Sequence, residues 1–211
     1  AADAHLRLAD SYFMTSKYWP AMEQYNEAIS KGNANRAYAE FQKAISYGFV
    51  DRVPQKIEAL QDFIRKYPKT NYYADALYEL GNTYVNRDED QKAMQQYDKL
   101  INEVPNSRFA PMTLLKKALL LSNQGKNNEA LSVLHKVAAD YPATPEAMQA
   151  VKSAEMIYID QGRVDAYAAW AKTLKFVEVK DVELDHATFQ SAQTPYIENN
   201  MKLAESRLKD Y

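Results

Sequence analysis

Histidine is the residue type in this chain best suited to hold a transition metal, and it occurs as His5, His135 and His186. No His-x-x-x-His pair puts two imidazoles on one helix face, so the three read as surface or interface residues and no metal is expected. The run Asn86-Arg87-Asp88-Glu89-Asp90 offers oxygen ligands in the manner of a calcium loop. It lacks the glycine at loop position six and the glutamate at position twelve, where Tyr97 stands. The run therefore predicts a solvated turn between helices, with Asp90 as the cap. Cysteine is absent, which removes thiolate nucleophiles, thiolate ligands and disulfides together. The serines lack a Gly-x-Ser-x-Gly elbow, and there is no glycine-rich phosphate loop. The 28 acidic residues nearly balance the 26 basic ones, the pattern of solvated helix faces with local ion pairs. These residues point away from catalysis, and no cofactor is expected.

The function must then lie in the surfaces the elements present. Tyr67-Pro68, Val104-Pro105 and Tyr141-Pro142 are each 37 residues apart, as are Gly125 and Gly162, and Ala93 and Ala130. Self-similarity at such a period marks a repeat array rather than one compact core. Within a unit, Ala76, Leu77, Leu80, Gly81 and Tyr84 form one apolar stripe. Ala93, Tyr97, Leu100 and Ile101 form a second, after the polar break at 86–90. That is the 3.6-residue period of two amphipathic helices joined by a short turn. The residue before proline is pushed out of the α region, so helices are expected to end at Tyr67, Val104 and Tyr141. Pro20, Pro54, Pro111 and Pro145 fall where new helices begin, with Thr144 as a side-chain cap. Small residues 12 apart, Ala9 with Ala21, Gly81 with Ala93, Ala118 with Ala130 and Ala192 with Ala204, allow close helix crossings. Beside them, Tyr12 with Tyr25, Tyr84 with Tyr97 and Leu121 with Leu134 fill the space.

The net charge of −2 and the lack of a long basic run exclude the electrostatic footprint of a nucleic-acid binder. No stretch nears the roughly 18 uninterrupted apolar residues of a membrane span. The start, Ala1-Ala2-Asp3-Ala4-His5, has no charged n-region or apolar h-region of a signal peptide.

One unit reads Leu80, Gly81, Tyr84, Ala93, Tyr97 and Pro105, and the next reads Ala118, Leu121, Gly125, Ala130, Leu134 and Pro142. Leu8, Ala9, Tyr12, Ala21, Tyr25 and Ala28 open the series. These positions resemble the tetratricopeptide repeat. The second unit keeps Ala44, Tyr47, Leu60, Phe63 and Pro68 but has Lys56 at the second-helix alanine. In the fifth, strict register puts Glu155 and Tyr167 at the small positions. Sliding by one to Ala154 and Ala166, with Trp170 as the aromatic, avoids burying a charge and is the expected register. Pro195 is expected to kink or shorten the sixth unit's first helix. The Tyr-Pro-x-Thr turn at 67–70, leading into Leu80-Gly81, resembles a bacterial envelope subtype that includes outer-membrane assembly lipoproteins and the Tol–Pal coordinator. The second unit resembles long repeat proteins of Bacteroidetes.

The resemblance implies an all-α, right-handed superhelical solenoid of about six helix-turn-helix pairs. It spans 1–211 as one array, with repeats near 2–35, 36–72, 73–109, 110–146, 147–183 and a truncated 184–211. In that family one face of each first helix lines the concave wall. Here that face offers Tyr38, Phe41, Ile45, Tyr78, Asn82, Val85, Leu115, Leu119, Phe189 and Tyr196. The alternative for these side chains is packing against the neighbouring unit. The clamp for acidic chaperone tails is echoed only by Asn82. The expected function is a non-catalytic scaffold binding a protein or peptide partner, with no nucleic acid and no membrane span in this chain. The expected setting is periplasmic or outer-membrane-associated, in envelope assembly or maintenance. The alternatives are a structural spacer or oligomerisation module with a self-filled groove, or a cytoplasmic signalling adaptor. The ends show no polar capping helix, which suits a piece of a longer array or a homo-oligomer through open ends.

Overall fold

The computed structural model describes residues 1–32 and 35–209. Among these, the chain forms twelve α-helices and no strand. They are α1 (Ala2–Met14), α2 (Tyr18–Ser30), α3 (Arg36–Phe49), α4 (Val53–Lys66), α5 (Tyr73–Val85), α6 (Asp90–Glu103), α7 (Ala110–Asn123), α8 (Asn127–Asp140), α9 (Pro145–Asp160), α10 (Val164–Ala171), α11 (Asp181–Ile197) and α12 (Met201–Leu208). They fall into two compact units, Ala1–Ala110 and the chain from Pro111 onward. In the first, each of α1 to α5 packs on the helix that follows it. In the second, α8 packs on α9, α11 packs on α12, and α9, α10 and α11 touch one another. The expected chain end at Tyr211 lies outside the described residues.

The helix boundaries follow the punctuation. Tyr67, Val104 and Tyr141 are the C-caps of α4, α6 and α8. Thr144 caps α9, its Oγ1 accepting the Ala147 N–H at 3.3 Å. Asp90 is not a cap: α6 begins on it, and the cap position is Glu89, which is drawn instead into ion pairs with Arg87 (2.6 Å) and Lys92 (2.5 Å). The hairpin turns repeat in detail. Asp51, Asp88, Gly125, Gly162 and Asn199 all have φ between 55° and 73°, and each is 37 residues from the next. Glycine, aspartate and asparagine tolerate this left-handed conformation best. After each of them, an N–H closes the helix end on the carbonyl five residues back, as in Lys126 to Leu121 (2.9 Å) and Arg163 to Tyr158 (2.8 Å).

The small pairs sit at helix crossings. Ala9, Ala21, Ala93, Ala118, Ala130, Ala192 and Ala204 are all buried. Gly81 is tighter still, because a Cβ there would lie 2.4 Å from Cε1 of the Tyr97 ring. Lys56, in the alanine position, runs its stem across Gly48 and reaches Glu79 Oε2 at 3.0 Å.

The expected slide in the fifth hairpin is incorrect. The buried residues of α10 are Val164, Tyr167, Ala168 and Ala171, whereas Ala166 is only half-buried. Strict 37-residue register therefore holds, with volumes exchanged: Tyr167 stands in the column of Ala93 and Ala130, and Ala171 in that of Tyr97 and Leu134. Glu155 does occupy the Gly81 column, but at a half-buried site rather than a sealed crossing.

Pro195 does not shorten its helix. α11 runs through it to Ile197. Proline cannot donate to the carbonyl four residues back. That carbonyl, on Ser191, instead accepts Arg207 Nη1 of α12 at 2.6 Å, while Arg207 Nη2 bonds the Asp160 carbonyl at the end of α9 at 2.9 Å. Gly162 makes room for this guanidinium, since a Cβ there would lie 2.6 Å from Arg207 Nε.

Candidate functional site

The odd-numbered helices carry the expected binding face. In the first unit that face is occupied by the chain itself. On α3, Tyr38 donates its hydroxyl to Asp10 Oδ1 (2.9 Å) and accepts from Gln42 Nε2 (3.2 Å). Burial is the main cause that lifts the Tyr38 phenol above its ordinary value. Phe41 is buried, stacked on Tyr72 at 5.6 Å and tilted against Phe63. On α5, Tyr78 stacks on Phe109 at 4.7 Å, and Asn82 accepts the Tyr97 hydroxyl at 2.8 Å. Ile45 and Val85 are half-buried beside them. Tyr72 and Phe109 both lie in the turn just before the next first helix, so each folds a ring back over the preceding one.

In the second unit the same face is open. Leu115 and Leu119 of α7 line a groove of about 450 Å³ with Met112 and, from α9, Gln149, Ser153 and Met156. Leu119 is 60% exposed and Met156 67%. A second cavity of about 730 Å³ lies between α9 and α11, and Met156 and Asp160 border both. Four carboxylates (Glu155, Asp160, Glu178 and Glu183) face it, against one lysine, Lys152, and His186. Burial first, then the neighbouring Glu183, raises the Glu155 carboxyl above the usual range, with Lys152 opposing. Burial, then Glu155 and Glu183, pushes the Tyr167 phenol up to about 12. Phe189 and Tyr196 of α11 are 49% and 61% exposed but line neither cavity.

Sequence reasoning missed Met112, Lys152, Met156 and Ile159. Three of them were available from the period: Lys152 shares the column of Phe41, Tyr78, Leu115 and Phe189, Met156 that of Ile45, Asn82 and Leu119, and Ile159 that of Val85 and Tyr196. Sliding the fifth unit hid them. The Glu183-x-x-His186 pair was also passed over. It faces the second cavity, yet no group of three metal-ligating side chains occurs among the described residues. The other histidines are engaged: His5 with Gln24 (2.8 Å) and Lys31 (3.2 Å), and His135 with the Tyr158 hydroxyl (3.2 Å), its ring stacked on Trp170 at 4.1 Å.

Helix hairpins repeated in register, with left-handed turns and small-residue crossings at one fixed spacing, define a helical-repeat protein. The tetratricopeptide repeat-like domain family matches residues 8–175, and the chain belongs to it. Its fold is that of a tetratricopeptide solenoid, and proteins of this kind are generally non-catalytic scaffolds for protein–protein interaction. Among solved structures, the chain is similar to YrrB, a tetratricopeptide protein with an unusual peptide-binding site (16% identity, 89% of this chain and 91% of that one, TM-score 0.58). It is also similar to PilW, a widely conserved type IV pilus biogenesis factor (17%, 98% and 90%, TM-score 0.56). A third is the C-terminal part of a repeat protein from Cytophaga hutchinsonii (16%, 97% and 76%, TM-score 0.62). These likenesses establish the fold. No curated protein matches the chain in sequence. Among the described residues no helix is long and apolar enough to cross a membrane.

Proposed function

We propose that this chain is a non-catalytic scaffold that holds a segment of a partner protein on the α7–α9 face of its second unit. The observation that carries this reading is the open groove of Met112, Leu115, Leu119 and Met156, with Gln149 and Ser153 placed among them. A partner's apolar side chain gains by leaving water there, at about 25 cal/mol per Å². Methionine side chains adapt to irregular shapes, which suits a groove that takes more than one sequence. The two polar residues supply hydrogen bonds that fix the segment's register. The peptide-binding site described for YrrB lends support by fold alone.

The setting we propose is the bacterial envelope, periplasmic or outer-membrane-associated. Its support is the Tyr67-Pro68-Lys69-Thr70 turn type and the likeness to PilW. Fractionating cells that express the full-length gene tests the setting, and recovery only in the cytoplasm would contradict it.

For the first unit a second reading is favoured. Tyr72 and Phe109 cover its face, so it acts as a spacer whose groove is filled by its own chain. Selection of a displayed peptide library on the whole chain tests both readings. Selected peptides should lose binding to a Leu119→Glu, Met156→Glu variant and keep it with Tyr78→Ala. The reverse pattern would move the site to the first unit.

A further inference from the structure

Resting on that reading of the second unit, we propose that the cavity between α9 and α11 receives a basic side chain, arginine or lysine, of the same bound segment. The cavity adjoins the apolar groove, because Met156 and Asp160 border both. A segment lying across α9 would thus present neighbouring side chains to each.

The cavity is built for a long cation. Its charged rim holds Glu155, Asp160, Glu178 and Glu183 against Lys152, with His186 beside Glu183. Among the described residues neither Glu155 nor Glu183 is in an ion pair, and the Glu183 charge acts on the Glu155 carboxyl. Behind them stands Tyr167, which is only 7% exposed and lines the cavity. Val151, Ile159 and Val182 supply apolar wall for the methylene stem of an arginine or lysine. The sign of the field rejects phosphates and acidic peptides by repulsion. A bare divalent cation does not fit, because no three ligating groups converge among the described residues.

The test is selection of random twelve-residue displayed peptides on the whole chain. Enriched sequences are expected to carry an arginine or lysine at a fixed offset from an apolar residue. A fluorescein-labelled consensus peptide should then lose at least ten-fold in affinity when that residue becomes glutamine. The Glu155→Gln, Glu183→Gln variant should lose about as much, and the two losses should not add, because each removes the same contact. Circular dichroism melting should show this variant as stable as the parent or more so. Peptides that need Leu119 and Met156 but show no basic preference would overturn this inference and leave the proposed function standing. A library yielding nothing that depends on this face would overturn both.

Discussion

The two units are made from one hairpin, yet one has its first-helix face covered and the other has it open. A single column accounts for much of the difference. Tyr72 and Phe109 lie 37 residues apart and shield α3 and α5, and the next position in that column is Glu146. A half-buried glutamate in the first turn of α9 puts no ring over α7, so Leu115 and Leu119 face a groove. A second column repeats the lesson. Gly81 is pressed against the Tyr97 ring, while Glu155, its equivalent, sits at a crossing where Tyr167 and Ala171 have exchanged sizes. Repeat architecture thus survives substitutions that change what its surface can do.

The harshest way to break this comparison is at Gly81. Gly81→Leu should cost about 3 kcal/mol or more by overpacking against Tyr97, whereas Glu155→Leu in the same column should cost less than about 1 kcal/mol. Chemical denaturation of the two variants checks this. Next is Arg207→Ala, which strips both carbonyl bonds and leaves the Ser191 carbonyl without its side-chain donor. A loss of about 1.5–3 kcal/mol is expected, read by hydrogen exchange as faster opening of α9 to α12 with α1 to α6 unchanged. Third, Glu146→Phe should restore the covering ring over α7 and weaken peptide binding at least ten-fold, or about 1.4 kcal/mol, measured by fluorescence anisotropy.

Smaller effects sharpen the picture. Thr113 stands in the column of Ala76 and Ala150, fully buried, with its Oγ1 unpartnered. Thr113→Val keeps the shape and removes that atom, for an expected gain of about 1 kcal/mol in denaturant melts. Last, the raised Glu155 carboxyl means the folded chain binds a proton more tightly than the unfolded one. Its contribution therefore makes stability fall as pH rises from the unfolded value near 4.3 through the raised folded one. The Glu155→Gln variant should flatten that slope in thermal melts across the window.

Much of this was legible in the sequence. The helices, their proline and cap punctuation and the small-residue crossings follow from period and propensity, because those features act locally. The register of the fifth hairpin was misread because avoidance of a buried glutamate was weighed above the period, and the fold resolves that conflict by leaving Glu155 half-buried. The covered face was not legible either. Tyr38, Phe41 and Tyr78 look like binding residues until Tyr72 and Phe109, from the following turns, are seen against them. The Arg207 contact joins α9, α11 and α12, so its logic is visible only once the three are packed.

The most direct test follows the methionine methyls. The chain has seven methionines, of which Met14, Met22 and Met94 lie in the first unit and Met112, Met148 and Met156 near the open grooves of the second. Carbon-13 methyl spectra of the whole chain, titrated with a selected peptide, should show Met112 and Met156 shifting together while Met22 and Met94 stay fixed. Shifts confined to the first-unit methyls, with Met112 and Met156 unmoved at saturation, would contradict the account.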